Sequence, residues 1–257
     1  MAIITFLSDF GERDHYVAAV KARIYNLNPN VNIVDITHNI ALFNIPHAAF
    51  VLRSVFRDFP KGTVHLVSVN SPSREKDRML AIKLEEHYFV GADTGLFSLL
   101  SDKDPTAVIE LRPDPNNYSP VFPDRTLLAN AAVSLASAGN IYNLGKQVTE
   151  FRRMLNRQLK VTKEQIGGHI IHVDHYGNLH TNITKEIFDK IRNDRNYHII
   201  FGMEEVDQIV ESYDSVDNGD CMVLFNSNGY LEIAISQGNA SELLGLAYDS
   251  PVTITFA

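Results

Sequence analysis

Apolar residues recur along the first half of the chain in short β-branched runs that alternate with stretches of helical period. Ala2–Leu7 is such a run, ending in Ser8-Asp9-Phe10-Gly11, and from about Tyr16 the positions of Val17, Val20 and Ile24 fall on one helical face. Asn28-Pro29-Asn30 stops that helix. Val31–Ile36 reads as a second buried strand, and Pro46 suits the first turn of a helix carrying Ala49, Leu52, Val55 and Phe56. After the turn Pro60-Lys61-Gly62 comes a third apolar strand, Thr63–Val69. Strands alternating with helices of this length predict βαβ crossovers and a central, mostly parallel sheet. Met79–Leu84 and Tyr88–Val90 read as a hairpin attached to it, and Val108–Leu111 as a further strand. Arg112–Pro123, rich in proline and asparagine, reads as an irregular loop before a small-residue helix from about Thr126 to Ala138.

The texture changes after a polar, basic stretch from Gly145 to Gln165 that holds Arg152, Arg153, Arg157, Lys160 and Lys163. Beyond it, Gly168–Val173, Leu179–Asn182, His198–Phe201, Met222–Phe225, Tyr230–Ile235 and Val252–Phe256 are short strands separated by Gly/Asn turns. That pattern predicts a compact β-barrel. The expected class is therefore α/β, with an N-terminal α/β domain over residues 1–155 and a C-terminal β-barrel domain over residues 156–257.

Composition narrows the chemistry. The chain has 257 residues, 45% apolar and 21% charged, which fits a globular protein and excludes disorder or low-complexity architecture. With 23 basic against 31 acidic side chains the formal charge is −8, a poor balance for neutralising nucleic-acid phosphates and a better one for a small cation. Cys221 is the single cysteine, so neither an intrachain disulfide nor a cysteine-built metal site can form, and a cytoplasmic location is expected. The first residues carry no positive leader, and no run approaches the roughly 18 apolar residues of a membrane span. Neither a signal peptide nor a membrane partner is expected.

In an open parallel sheet, ligands sit beyond the carboxyl ends of the strands. Those ends here carry Asp9 and Asp14, then His38 and Asn39, then Asn70, Ser71, Ser73 and Arg74. A carboxylate at such a position can accept hydrogen bonds from both hydroxyls of a ribose. The plainer reading is that Asp9 closes its turn and Asp14 caps the following helix. In the second half, Asp174-His175-Tyr176-Gly177-Asn178 and Asn226-Ser227-Asn228-Gly229 are polar turns that an ordinary hairpin also uses, and Ser236-Gln237-Gly238-Asn239 leads into a helix. The ten histidines are densest at His172, His175 and His180 around Asp174, but their spacing matches no familiar metal motif, so no metal is expected.

As an ordered set these segments resemble one family. Ser8-Asp9-Phe10-Gly11 with Asp14-His15-Tyr16-Val17, Val34-Asp35-Ile36-Thr37-His38, Phe59–His65, Val90–Gly95, Asp174–Asn178 and Gly229–Ala234 look like the S-adenosylmethionine (SAM) hydroxide adenosyltransferases, the SAM hydrolases, with their chlorinase and fluorinase relatives. The resemblance implies displacement at the ribose 5′ carbon of SAM, with water attacking and methionine leaving to give adenosine. SAM is then substrate and no cofactor is called for. It also implies a homotrimer with sites at subunit interfaces. By the same implication Asp9 holds the ribose diol, with Asp14 beside it, and Phe43 packs on the nucleoside. Asp174 and Asn178 approach the methionine or nucleoside, Ser227 lies near the carboxylate, and the backbone around Gln237 faces adenine.

The chain departs from that family where the water is activated. The hydrolases resembled use an Asp-Arg-His trio. Here the Asp position is Asn70, the Arg falls one residue late at Arg78, and the His position is Pro123. Asn70 can position a water but cannot take its proton. Asp124, next to the lost histidine, is the expected substitute, supported by Arg74 or Arg78. It stands where the halogenase relatives offer a hydroxyl to halide, and although Ser73 keeps a hydroxyl on the opposing loop, a carboxylate repels halide. The alternative is a catalytically degenerate protein that still binds SAM or adenosine.

Overall fold

A computed structural model describes residues 3–71, 78–155 and 157–257. The chain divides into two compact units, Met1–Leu155 and Asn156–Ala257.

Unit 1 is built on a seven-stranded sheet. Its strands are β1 (Ile3–Ser8), β2 (Asn32–Thr37), β3 (Val64–Ser68), β4 (Met79–Leu84), β5 (His87–Ala92), β6 (Ala107–Leu111) and β7 (Gly145–Gln147), in the order β2-β1-β3-β5-β4-β6-β7. The pairings β2-β1, β1-β3 and β3-β5 are parallel. Beyond β5 the sheet turns antiparallel, because the hairpin expected at Met79–Val90 inserts β4 between β5 and β6. Helix α1 (Tyr16–Leu27) follows β1 and α2 (Ile45–Val55) follows β2. Asn44 caps α2 by accepting from the His47 N–H at 3.0 Å, with Pro46 in the first turn.

Side-chain alternation along β1 and β3 sorts the core into two layers. Ile4, Phe6, Val64 and Leu66 pack with α1 and α3 (Ala129–Ala136). Leu7, Val67 and Val69 pack with α2 on the other face. Gly91 is needed where β5 approaches β3, since a Cβ there would lie 2.6 Å from the Val67 carbonyl oxygen.

The helix expected from Thr126 to Ala138 differs at both ends. It is preceded by a π turn, Asp124–Leu128, entered at Pro123, and it stops at Ala136 because Ala138 takes φ 62°. Strand β7 was not foreseen; three polar residues give no periodic signal, and only pairing with the β6 edge creates it.

Unit 2 is a nearly closed antiparallel barrel. Its strands are β8 (Lys160–Val161), β9 (Gln165–Val173), β10 (Leu179–Thr184), β11 (Tyr197–Phe201), β12 (Glu204–Val206), β13 (Cys221–Phe225), β14 (Tyr230–Ile235) and β15 (Pro251–Phe256). They run in the order β12-β11-β15-β9-β10-β14-β13, with β8 on β9. Ile166, Ile170, Leu179, Ile199, Leu231, Ile233 and Ile254 fill its interior. Two helices, α4 (Lys185–Arg192) and α5 (Ala240–Leu244), accompany it. The strand pattern alone passed over α4. It is set by Thr184, which accepts from the Ile187 N–H, and by Asn193 in a left-handed C-cap. Among the described residues no helix is long and apolar enough to cross a membrane.

Candidate functional site

In unit 1 the polar groups gather at the carboxyl ends of β1 and β3. Asp9 is buried, and its Oδ2 accepts from the main-chain N–H groups of Phe43 at 3.0 Å and Asn70 at 3.1 Å. Both donors are left-handed, Phe43 at φ 62° and Asn70 at φ 49°. For a bulky residue that conformation costs about 1–2 kcal/mol, whereas a hydrogen bond to a charged acceptor returns roughly 1.5–3 kcal/mol. The carboxylate therefore holds the Phe43 loop in a strained shape and fixes the Asn70 turn, and Oδ1 keeps acceptor capacity for a ligand hydroxyl. Phe43 carries its ring outward, 68% exposed, on one of those loops.

Asp124 lies beside this group. It is 2% exposed, and its Oδ1 accepts the Ser71 hydroxyl proton at 2.6 Å. Burial pushes its carboxyl up; Ser71 and Ser68 partly offset this, and the Asp9 charge adds to the rise. An aromatic trio aligns the two acids. Phe10 meets Tyr16 and Phe122 at 5.8 Å each, and Tyr16 meets Phe122 edge-on at 5.4 Å, tying the loop after β1 to the entry of the π turn. An acid with its carboxyl raised, anchored to a hydroxyl and close to a second carboxylate, is chemically able to orient a water and take its proton.

The remaining unit 1 residues are placed differently. Asn70 serves Asp9 through its main chain, and its side chain is exposed. Arg78 is engaged elsewhere: Nε and Nη2 donate to Asp93 Oδ2 at 3.1 and 2.6 Å, and Glu110 lies 4.0 Å from Nη1. The expected support of Asp124 by Arg78 is thus replaced by two serines. Asp14 is exposed, and the N-cap of α1 is His15, with no side-chain cap. Ser73 and Arg74 lie outside the described residues.

Unit 2 holds a second acidic group, in a pocket of about 400 Å³ lined by Asp174, His180, Tyr213, Asn226, Ser227 and Glu232 among others. Asp174 Oδ1 accepts from the main-chain N–H groups of Tyr176 and Asn178, both at 2.9 Å, and Oδ2 accepts the Asn178 amide at 3.2 Å. Glu232 is 1% exposed and accepts from Tyr213 Oη at 2.7 Å and from Asn226 Nδ2 at 3.1 Å. The other Asn226 amide proton is directed at His180 Nδ1, 2.9 Å away, which aims Nε2–H at Asp174, 3.4 Å away. Burial raises the Asp174 carboxyl, but the His180 and Asn178 donors outweigh it and hold the group below the ordinary carboxylate range.

Asp174, His180 and Glu232 could together face a cation, their ligand atoms all lying within 4.8 Å of one another. His175 stands exposed at the turn, outside that group. Gly177, at φ 87°, lets this turn close on Asn239, whose Oδ1 would sit 2.0 Å from an added Cβ. Asn239 in turn caps α5, so the loop bearing Gln237 abuts the Asp174 turn. Gln237 itself is left-handed and exposed, as Ser227 is exposed at the pocket rim.

Two domain families match in sequence order: SAM hydroxide adenosyltransferase N-terminal domain over residues 4–145 and its C-terminal domain over residues 168–253. The chain belongs to the SAM hydroxide adenosyltransferase family. It is similar to an (R)-S-adenosyl-L-methionine hydrolase of Methanocaldococcus jannaschii, 31% identical over 99% of this chain and 96% of the relative. A protein of the same description from Thermus thermophilus is 30% identical over 99% of this chain and all of the relative's length. A fluorinase of an Actinoplanes species is 24% identical over 99% and 98%. Among solved structures, an uncharacterized conserved protein of Thermotoga maritima superposes with a TM-score of 0.91 at 30% identity, covering 98% of this chain and 99% of that one.

Glu232 and Tyr213 carry much of the geometry although the sequence pattern offered them no candidate role, while His180 and Asn226, noted as part of a histidine cluster and of a polar turn, act here as donors and partners of the acids. Glu232 had a legible signal, an acid in the otherwise apolar run Tyr230–Ile235. Tyr213 had none beyond polarity.

Proposed function

We propose that this chain hydrolyses SAM to adenosine and methionine. Water attacks the ribose 5′ carbon, the carbon–sulfur bond breaks with its electron pair on sulfur, and methionine leaves as a neutral thioether that needs no acid. Asp9 takes the ribose diol, Phe43 covers the nucleoside, and Asp174 with Ser227 takes the charged end of methionine. Asn178 and the backbone at Gln237 approach the nucleoside. Alignment of nucleophile, carbon and sulfur can supply roughly 7–11 kcal/mol, against about 3–5 kcal/mol from a base.

The observation that carries this reading is the Asp124 carboxyl, buried against Ser71 and raised, beside Asp9. It supplies a proton acceptor where the family positions are Asn70 and Pro123, and its negative charge favours water over the halide that a fluorinase's name implies. The homotrimeric assembly, the cytoplasmic location and the absence of any cofactor belong to the same reading.

Incubation with SAM in ¹⁸O-labelled water tests it. Adenosine carrying the label at the 5′ oxygen, with equimolar methionine and undiminished by chelator, is the expected result. Tight SAM binding with no adenosine released over hours contradicts it and selects a protein that only binds.

A further inference from the structure

Two buried side-chain polar atoms among the described residues lack an aligned hydrogen-bond partner, Ser68 Oγ and His38 Nε2. Both lie on one line through unit 1. Ser68 ends β3, and its hydroxyl faces the Asp124 carboxyl without completing an aligned bond. Ser68 is the register partner of Ser8 on parallel β1. Strands spaced about 4.8 Å apart point register partners to the same face, so the two hydroxyls lie on one side of the sheet at a spacing that a single water bridges. Ser8 Oγ then meets His38 Nδ1 at 2.7 Å. His38 Nε2 lies 3.2 Å from Asp35 Oδ1, and Asp35, 40% exposed, reaches solvent and pairs with Lys21.

We propose that Ser68, Ser8, His38 and Asp35 form a proton exit line that returns Asp124 to its carboxylate form after each turnover. The proposal rests on the hydrolase reading. Hydrolysis of a sulfonium by water releases one proton. The oxygen–carbon bond forms, the carbon–sulfur bond breaks, and the proton lost by the attacking water goes to Asp124. A carboxyl 2% exposed cannot discharge it directly to solvent. Passed through the Ser68 and Ser8 hydroxyls, the proton arrives on His38 Nδ1 while Nε2 gives its own to Asp35 and thence to water. Rotation of the hydroxyls and a flip of the ring restore the line.

The surroundings of His38 suit a carrier. Burial pushes the imidazole down, Asp35 partly reverses this, and Lys21 and Glu12 act with opposite signs, while Ser8 Oγ stands at Nδ1 and Asp35 Oδ1 at Nε2, one partner on each ring nitrogen. Phe6 packs against it at 4.7 Å and fixes its place. Ser8 and His38 are not catalytic residues on this account, since neither touches substrate; they act through Asp124.

Rapid-quench measurement of adenosine per active site, with SAM in excess, separates the first turnover from later ones. For His38→Gln and Ser8→Ala the first turnover is expected at the unaltered rate, followed by steady turnover slowed about tenfold or more, within the range that assisted proton transfer contributes. Asp35→Asn, altered at the exposed end where folding is not at stake, is expected to slow later turnovers in the same way. Equal slowing of first and later turnovers marks a structural role and overturns the line. Unchanged rates in all three variants overturn it while leaving the hydrolase reading intact. If the unaltered protein releases no adenosine, hydrolase reading and exit line fall together.

Discussion

The two acidic groups each centre on an aspartate, and the two aspartates are held in opposite ways. In unit 1, Asp124 sits among hydroxyls with burial dominant, and its carboxyl is pushed up. In unit 2, Asp174 is only half-buried, with 25% of its side chain exposed, and His180 and Asn178 donate to it, so its carboxyl is held down. Depth of burial and the kind of donor together decide the difference. A serine hydroxyl can also accept, so it stabilises either protonation state, whereas main-chain N–H groups can only donate and favour the charged form. The first group is thus suited to exchanging a proton, and the second to presenting fixed negative charge to an ammonium.

Substitutions that remove charge from each group sharpen this division. The largest effect is expected from Asp9→Ala, which removes the carboxylate proposed to take the ribose diol and releases the loops at Phe43 and Asn70 that it holds. At roughly 1.5–3 kcal/mol per bond, kcat/KM should fall about 10²-fold or more, read by adenosine release. Asp174→Asn keeps the shape of the unit 2 pocket and removes its charge. Steady-state kinetics should show KM raised about tenfold, with kcat changed much less. A fall confined to kcat would place chemistry in unit 2 and break the comparison.

Acid effects on Asp124 must be separated from acid effects on the fold. His65 is buried between Thr5 and His87, and burial first, then the neighbouring His87, pushes it down to about 3. Its folded form resists a proton that the unfolded chain accepts near pH 6.5. Its contribution is therefore complete above that pH and lost progressively as pH falls toward 3. Chemical denaturation should show a loss of about 2 kcal/mol between pH 7 and pH 5, and His65→Phe should flatten that slope by about one proton. The smallest effect expected is for Tyr213→Phe, which leaves Glu232 Oε1 without its donor at a cost of about 1 kcal/mol, measured by thermal unfolding at neutral pH.

The parts of this arrangement legible in the sequence share a local cause. Strands β1 and β3 announce themselves as β-branched runs, and Asp9 is conspicuous because it follows one of them directly. The turn at Asp174 is likewise written in Gly177 and Asn178. What escaped depends on contacts across the fold. Ser8 meets His38 from 30 residues away, Tyr213 meets Glu232 across 19, and Asn226 meets His180 across 46. No local period encodes those pairings. Arg78 misled for the same reason: its partner is chosen by the β4-β5 pairing, which brings Asp93 alongside it, and not by proximity to the water site.

Single-turnover adenosine release by Asp124→Asn at saturating SAM, beside the unaltered protein, bears most directly on the claim that a buried aspartate replaces the missing water-activating pair. The rate is predicted to fall at least about tenfold, and up to the 10²–10⁴-fold span of a lost general base, with SAM affinity unchanged. Equal single-turnover rates for the two proteins contradict the claim.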